Sequence, residues 1–409
     1  MELHGRLGDV FRIHVTRDPA DTYVLADPDL AQEVLASRHA DFERVILDGR
    51  MSLILGNGLL TSSGAHWKRQ RKRLQPAFHG AGLQRLQSRI ARCGEPLLRR
   101  WERHAATGAP LELTAAMLEV SLAYNLSTLF GADADAMGAA IGTEFLGRLT
   151  APIRADTRSN LMFMKEVRAV RARIAALIGE RWQRPDAADD LLGMFLRPSP
   201  GEATPMSEPE IVDEVIAMLT AGHETVATAL KSAAYLLALH PDIQGSCRHE
   251  AQSCAAAGAG PGAAQGMPLT RAAVHEAMRL YPPIWVISRK ARVATRIGPY
   301  DIPAGSTIFV CPYLIHRHPA HWPDPATFDP GRFADHTQAV RHNAAYLPYS
   351  RGARTCIGEH LSMCEMLHHF ATVLPQFSMA HLDGHPRRFA AGFALRALDP
   401  IHVRVTRAA

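Results

Sequence analysis

The chain has 409 residues, of which 47% are hydrophobic and 21% are charged, with a formal net charge of +5. This composition is typical of a folded globular protein and excludes disordered, collagen-like and coiled-coil classes. The weak positive balance does not predict nucleic-acid binding. No stretch reaches the roughly 18 apolar residues of a membrane span, and the N-terminus lacks the apolar core of a signal peptide. The sequence therefore predicts a cytoplasmic protein with no membrane anchor.

The first predicted elements are short strands followed by a helix. Residues 10–15 alternate between apolar and polar side chains, as a half-buried strand does, and residues 23–26 form a second strand. Asp27 followed by Pro28 indicates a helix start. From Trp67 to about Phe195, apolar residues recur at spacings of three and four, which predicts mostly helix.

A long helix is predicted from about Ser207 to His240. Ser207 and Glu210 have the spacing of a capping box. The middle of this helix, residues 215–237, is apolar on almost every face. Such a helix belongs in the centre of a large domain.

The last third of the chain mixes helices, strands and irregular segments. An Ala/Gly-rich loop at 255–266 precedes a helix over 274–280, and strand-like runs follow between 284 and 310. Residues 319–355 predict a long irregular segment, which is unusual in a compact domain unless it is functional. A helix over 358–374 and strand-like pieces complete the chain.

The cysteines indicate no disulfide framework and no zinc site. They form no C-x-x-C pair, and most are expected to be small buried residues in a reducing compartment. The six are Cys93, Cys247, Cys254, Cys311, Cys356 and Cys364. Cys356 differs, because a Gly/Arg-rich loop places it just before a helix N-terminus, where the helix dipole favours the thiolate. The thiolate could be a nucleophile or a metal ligand; the alternative is a buried cysteine in a turn.

Two helical motifs carry charge in unusual places. Glu276 and Arg279 are three residues apart and can pair on one helix face. Residues 221–225, Ala-Gly-His-Glu-Thr, put small and charged side chains inside the apolar central helix, a conflict that indicates a functional site and predicts a kink or bulge. The alternative is a glycine packing contact beside a partly exposed Glu224.

A basic run begins at Trp67. Trp67 and Arg71 share one helix face, and their N–H groups suit a carboxylate. The remaining basic residues, Lys68, Arg69, Lys72 and Arg73, are either a solvated helix face or a docking site for an acidic partner.

Taken together, these segments resemble a cytochrome P450 over the chain from about residue 8 to its C-terminus. Residues 349–358 resemble the signature F-x-x-G-x-R-x-C-x-G, with Tyr349 in place of Phe. Residues 221–225 match A-G-x-[DE]-T, and residues 276–279 match E-x-x-R. Residues 328–333 resemble the Pro-Glu-Arg-Phe segment, with Gly331 in place of Glu, and Trp67 with Arg71 matches W-x-x-x-R.

The resemblance implies a mainly α fold with a small β-rich lobe (α+β) around a long buried central helix. It implies a single large domain over 1–409. The β-rich part is expected at about 8–60, 284–310 and 377–408, and the helical part in the remainder.

The resemblance also implies a heme b cofactor with Cys356 as its axial thiolate. Tyr349, Gly352 and Gly358 would shape the loop around that cysteine. The residues expected to pair with the heme propionates are Trp67, Arg71, Arg289 and Arg354, with Lys290 the rival of Arg289. Glu276, Arg279 and Arg332 would form a structural triad.

On the opposite side of the heme, Gly222 and Thr225 would open a groove for dioxygen and water, with Ala221 beside them in the motif. The Thr225 hydroxyl would stabilise the bound oxygen, and Glu224 would help to relay protons, although this acid often pairs structurally in the family instead. An intact Thr225 and Glu224 favours the dioxygen route over peroxide.

The implied activity is a monooxygenase that inserts one oxygen atom from O2 into a hydrophobic substrate, such as a terpenoid, fatty acyl or polyketide-like molecule. The expected pocket walls are residues 51–60, Ala217, Met218, Ala221, Val286, Ile287 and Phe393. Since the sequence carries no flavin or iron–sulfur module, electrons are expected from a separate ferredoxin or flavodoxin with its reductase. The alternatives are peroxide-driven oxidation, ring coupling or isomerisation, and a non-enzymatic heme sensor.

Overall fold

The computed structural model describes residues 2–14, 20–45, 54–149, 157–184, 189–198, 205–256, 266–333, 344–382, 384 and 388–408. Helices dominate these residues, and short strands make up small sheets. The helices are α1 Glu2–Leu7, α2 Pro28–Gln32, α3 Gly64–Leu74, α4 Gly80–Ala91, α5 Gly94–Thr107, α6 Leu113–Phe130, α7 Ala134–Ala140, α8 Thr143–Leu149, α9 Thr157–Trp182, α10 Leu191–Leu196, α11 Glu208–Leu239, α12 Pro241–Ala256, α13 Pro268–Leu280, α14 Pro312–Ile315 and α15 Glu359–Val373.

The strands lie near the two ends of the chain and between residues 287 and 310, apart from one two-residue strand. They are β1 Val10–Ile13, β2 Thr22–Leu25, β3 Phe42–Arg44, β4 Leu111–Glu112, β5 Ile287–Ala291, β6 Thr295–Ile297, β7 Tyr300–Ile302, β8 Thr307–Val310, β9 Phe377–His381, β10 Phe389–Ala391, β11 Leu395–Ala397 and β12 His402–Arg407. The mainly α fold with small sheets confirms the predicted class.

The backbone divides into two compact units. The first contains residues 1–47 and 272–356, and the second contains residues 48–271 and 357–409. The single domain over 1–409 stays a prediction. Within the predicted β-rich stretch 8–60, described strands end at Arg44, and residues 54–60 form a helical turn and bends instead.

The first unit is built on a five-stranded sheet in the order β1-β2-β8-β5-β3. β2 and β8 run parallel, with Thr22 opposite Thr307, and the other neighbours are antiparallel. Asp27 caps α2 by accepting a hydrogen bond from the Leu30 backbone N–H at 2.8 Å, which confirms the predicted helix start. The apolar face of the sheet packs on a core that includes Leu35, Ile308 and Trp322.

The second unit is built around α11, the central helix. Its N-terminus has the predicted capping box, with the Ser207 N–H donating to Glu210 Oε2 at 3.0 Å. Most of its side chains are buried, and α6 packs along it. A window of the α6–α7 region is apolar enough to span a membrane, but 61% of it is buried, as in the core helix of a globular protein. A three-stranded sheet, in the order β4-β12-β9, also lies in this unit.

The structure differs from the sequence predictions at two further places. Ala255 and Ala256 belong to the last turn of α12, while residues 257–265 of the predicted loop lie outside the described residues. The central helix is α-helical from Glu208 to Leu239 without a π-helical turn at residues 221–225, so the predicted bulge is wrong and the predicted kink stays a prediction.

Candidate active site

The cysteine loop of the first unit is closed by backbone hydrogen bonds. The Cys356 N–H donates to the Tyr349 carbonyl at 2.9 Å, and the Thr355 N–H donates to the Gly352 carbonyl at 3.0 Å. Gly352 has φ +73°, and a Cβ there would lie 2.3 Å from the Leu35 carbonyl oxygen, so this position requires glycine. Cys356 is exposed, which leaves its sulfur accessible to a ligand. α15 begins three residues later, at Glu359.

Three arginines of the first unit gather around this loop. Burial lowers the pKa of Arg44 to about 10, with Arg289 adding to the effect and Cys356 opposing it. Burial, then the charge of Arg354, lowers the pKa of Arg289 to about 10. Burial, then the charges of Arg44 and Arg292, lowers the pKa of Arg354 to about 10. Crowded cations of this kind are stabilised by bound carboxylates.

Strand register explains why Arg44 joins the group and why Lys290 does not. Arg44 on β3 lies directly opposite Arg289 on β5. Side chains alternate along β5, so Arg289 is buried, 6% exposed, and Lys290 lies on the other face. The register therefore places Arg289, and not Lys290, in the arginine group, while the propionate role stays a prediction. Sequence reasoning missed Arg44, because a register between strands more than 240 residues apart leaves no local signal.

Glu276 and Arg279 form a fully buried ion pair in the first unit. Arg279 donates from Nε and Nη2 to the two Glu276 oxygens, each at 2.7 Å, and both side chains are 0% exposed. Arg279 also donates to the carbonyls of His316 and Pro325, each at 2.8 Å. Arg332 Nε lies 3.3 Å from Glu276 Oε1. Burial raises the pKa of Glu276, and Arg279 opposes that rise. The triad therefore fixes the irregular segment to α13.

In the second unit, side chains of α6 hold the middle of the central helix. Ser121 Oγ donates to the His223 carbonyl at 2.7 Å, and Asn125 Nδ2 donates to the Leu219 carbonyl at 3.1 Å. A Cβ on Gly222 would lie 3.0 Å from Asn125 Nδ2, so glycine permits this close packing. Thr225 Oγ1 donates to the Ala221 carbonyl at 2.6 Å, which keeps its hydroxyl on the helix. These contacts bind the middle of the central helix to α6.

Glu224 forms an ion pair that the sequence did not reveal. Its Oε1 accepts a hydrogen bond from Arg396 Nε on β11. Glu224 is 5% exposed, and its Oε2 is buried with no hydrogen bond to the described residues. The Arg396 side chain is 41% exposed and so connects the pair to solvent. Burial lowers the pKa of Lys231, farther along the helix, to about 8, although Glu112 and Glu224 oppose that shift.

The basic helix α3 presents two different faces. Trp67 and Arg71 are partly buried, and both make polar or ring contacts. Arg69 pairs with Glu210 at 3.0 Å, and Arg73 lies 3.8 Å from the same carboxylate. Lys68 and Lys72 are exposed. Part of the predicted docking run is therefore occupied by an internal ion pair.

The predicted pocket residues are distributed over both units. In the second unit, Leu55 and Ala217 are buried, while Met218, Ala221 and Phe393 are partly buried. In the first unit, Val286 is partly buried and Ile287 is buried. Residues 51–53 lie outside the described residues.

The cytochrome P450 family model matches residues 1–401. The chain is 29% identical to cyclooctatin synthase of Streptomyces melanosporofaciens over 399 residues, covering 92% of this chain and 84% of that protein. It is 28% identical to pentalenene oxygenase of Streptomyces avermitilis over 381 residues, covering 90% and 84%. The cytochrome P450DA heme domain superposes with a TM-score of 0.89 at 21% identity, covering 99% of this chain and 91% of that chain.

The chain belongs to the cytochrome P450 family. It is an oxidoreductase of the monooxygenase class, and its cofactor is heme b with a cysteine thiolate as axial ligand. Cys356 lies in the heme-binding region of the family. The residues of the first unit fit this group, because the exposed Cys356 offers a thiolate and the arginines offer counter-charges for two propionates.

Proposed function

We propose that this protein hydroxylates a hydrophobic terpenoid, using O2 and electrons from a separate ferredoxin or flavodoxin with its reductase. The observation that carries the proposal is that this chain has both an exposed Cys356 in a closed loop and an intact Ala221–Thr225 motif. The relatives named for cyclooctatin, cyclooctat-9-en-7-ol and pentalenene support a terpenoid substrate.

The heme is assigned to Cys356, with Arg289, Arg354, Trp67 and Arg71 binding its propionates and Tyr349, Gly352 and Gly358 shaping the loop. Heme with a thiolate ligand supplies the activation of O2 and the transfer of an oxygen atom to a C–H bond. The backbone hydrogen bonds of the loop hold Cys356 in place before the cofactor binds. Apolar residues of the central helix such as Ala217 and Met218 bind the substrate and exclude water.

Proton delivery is assigned to the central helix. Thr225 Oγ1 donates a hydrogen bond to the Ala221 carbonyl, so its lone pairs can accept a hydrogen bond from a proton donor. Arg396 holds Glu224 Oε1 and leaves Oε2 as the atom that exchanges a proton. Ala221 and Gly222 leave room for dioxygen beside Thr225.

Lys68 and Lys72 are assigned to the docking of the redox partner, because they are the exposed lysines of α3 outside the Glu210 pair. An acidic ferredoxin or flavodoxin fits their charge. We place the protein in the cytoplasm, where such partners are kept reduced.

The first test is the absorption spectrum of the dithionite-reduced protein under carbon monoxide. We expect a strongly red-shifted Soret band that Cys356→Ala abolishes and that the control Cys254→Ala keeps. A panel of cyclic terpenes should then shift the heme spin state and yield hydroxylated product with a ferredoxin system. A histidine-type carbonyl spectrum would overturn the cysteine assignment, and a spin shift only with fatty acids would overturn the substrate class.

A further inference from the structure

The N-terminal part of the central helix binds the segment of residues 54–62 through two carboxylates. The Asn57 N–H donates to Asp213 Oδ2 at 2.7 Å, and the Leu59 N–H donates to Glu214 Oε2 at 2.9 Å. Gly56 has φ +71°, and a Cβ there would lie 2.1 Å from Asp213 Oδ1. The backbone of this segment therefore approaches the helix more closely than a side chain would allow.

Glu214 also connects the central helix to α3. Gln70 Nε2 donates to Glu214 Oε1 at 3.3 Å, and both side chains are 0% exposed. Gln70 Oε1 is buried and makes no hydrogen bond to the described residues. If the Gln70 side-chain amide rotates by 180°, Oε1 faces Glu214. It can then accept a hydrogen bond from the protonated carboxyl group of Glu214.

The cations near Glu214 form ion pairs with the neighbouring carboxylates and not with Glu214 itself. On its own helix, Glu210 pairs with Arg69 and Arg73 of α3, and Asp213 pairs with Arg171 of α9. Among the described residues, Glu214 forms no ion pair with a cation.

Because Glu214 is buried without a counter-ion, its protonated form is favoured. Burial raises the pKa of Glu214 from its ordinary value of 4.5 to about 7. Asp213 and Glu210 add to the rise, and the hydrogen bonds from Leu59 and Gln70 oppose it. The group therefore titrates near neutral pH.

We propose that Glu214 is a proton-dependent positioning residue that, as the neutral acid, holds residues 54–62 and α3 against the central helix and, once ionised, loosens both. In the acid form, Glu214 donates to Gln70 Oε1 and still accepts from the Leu59 N–H. In the ionised form, the same contacts surround a buried charge with no cation beside it. This role of Glu214 is separate from the proposed monooxygenase chemistry and does not depend on the substrate.

The sign of the pH dependence follows from proton linkage. Between about pH 4.5 and pH 7, Glu214 is protonated when the segment of residues 54–62 is closed over it. When the segment opens and Glu214 is solvated, it releases that proton. Anchoring is therefore complete at acid pH and is lost as the pH rises to about 7. In this window the opening equilibrium rises by up to about tenfold per pH unit and then levels off.

Hydrogen exchange of the heme-loaded protein tests the proposal, measured by mass spectrometry on a peptide covering residues 54–62 between pH 5.5 and 8. After correction for the intrinsic exchange rate, protection should fall with pH and level off near pH 7. In Glu214→Gln, protection should be independent of pH. The matched control Asp213→Asn should lower protection but keep the slope, and a peptide from β12 should show no such slope.

A slope that persists in Glu214→Gln, or one that disappears in Asp213→Asn, would overturn the proposal. If Glu214→Gln fails to fold, Glu214→Leu provides a second test, because it removes the titratable group and fills the site with an apolar side chain. Its protection should also be independent of pH, and a slope that persists in Glu214→Leu would contradict the proposal.

Discussion

Glu224 and Arg396 form an ion pair that connects the central helix to strand β11 of the C-terminal hairpin. One carboxylate oxygen of Glu224 faces this arginine, and the other is buried without a hydrogen-bond partner in the described chain. Arg396 thus binds Glu224 through Oε1, and Glu224 Oε2 remains available for proton transfer. This arrangement makes Arg396 a positioning residue for proton delivery in the proposed mechanism.

Replacing Arg396 tests that role. Arg396→Gln should lower the yield of product per electron pair by about tenfold, which is less than the roughly 10²–10⁴-fold of a general acid or base because Arg396 acts only through Glu224. It should also change the solvent isotope effect on turnover. Arg388→Gln is the matched control, since Arg388 pairs with Asp399 at 2.7 Å in the same hairpin region. Equal losses in both variants would indicate a structural role instead.

Removing the Thr225 hydroxyl tests its part in proton delivery. Thr225→Ala should release more peroxide and less product per electron, while substrate binding remains close to that of the parent. Thr220→Ala is the control, because Thr220 Oγ1 makes the same kind of helix bond, to the Ile216 carbonyl at 2.8 Å. Unchanged coupling in Thr225→Ala would contradict the assignment.

Arg289 is expected to retain the cofactor through a propionate. Loss of one hydrogen bond to a charged group costs about 1.5–3 kcal/mol, so Arg289→Met should speed heme loss by roughly tenfold or more. The rate of heme transfer to apomyoglobin measures this loss. Lys290→Met, on the opposite face of β5, should leave the rate of heme loss unchanged. Faster heme loss from Lys290→Met than from Arg289→Met would assign the propionate to Lys290 instead.

The buried Glu276–Arg279 pair is expected to determine stability rather than chemistry. Glu276→Gln leaves a fully buried guanidinium without its counter-ion and should destabilise the fold by about 3–5 kcal/mol. Thermal or denaturant unfolding of the heme-loaded protein measures the change. Glu95→Gln, which breaks the exposed pair with Arg99, should cost less than about 1 kcal/mol.

Charge reversal on α3 tests the docking proposal. Lys68→Glu combined with Lys72→Glu should slow reduction by an acidic [2Fe–2S] ferredoxin, and the difference from the parent should shrink as salt is added. Lys165→Glu, an exposed lysine on α9, is the control. Equal slowing in the control would mean that only net charge matters.

The sequence by itself determined the family, the cysteine loop, the capped central helix and the E-x-x-R pair. These features depend on residues close together in the chain, so spacing and local chemistry were sufficient to find them. Only the tertiary structure decided that Arg44 lies opposite Arg289, that Arg396 holds Glu224, and that Glu214 binds the Leu59 backbone. It also decided that Ser121 and Asn125 bind the backbone of the central helix. Each of these relationships joins residues distant in sequence, and packing and strand register fix such contacts, which no local pattern encodes.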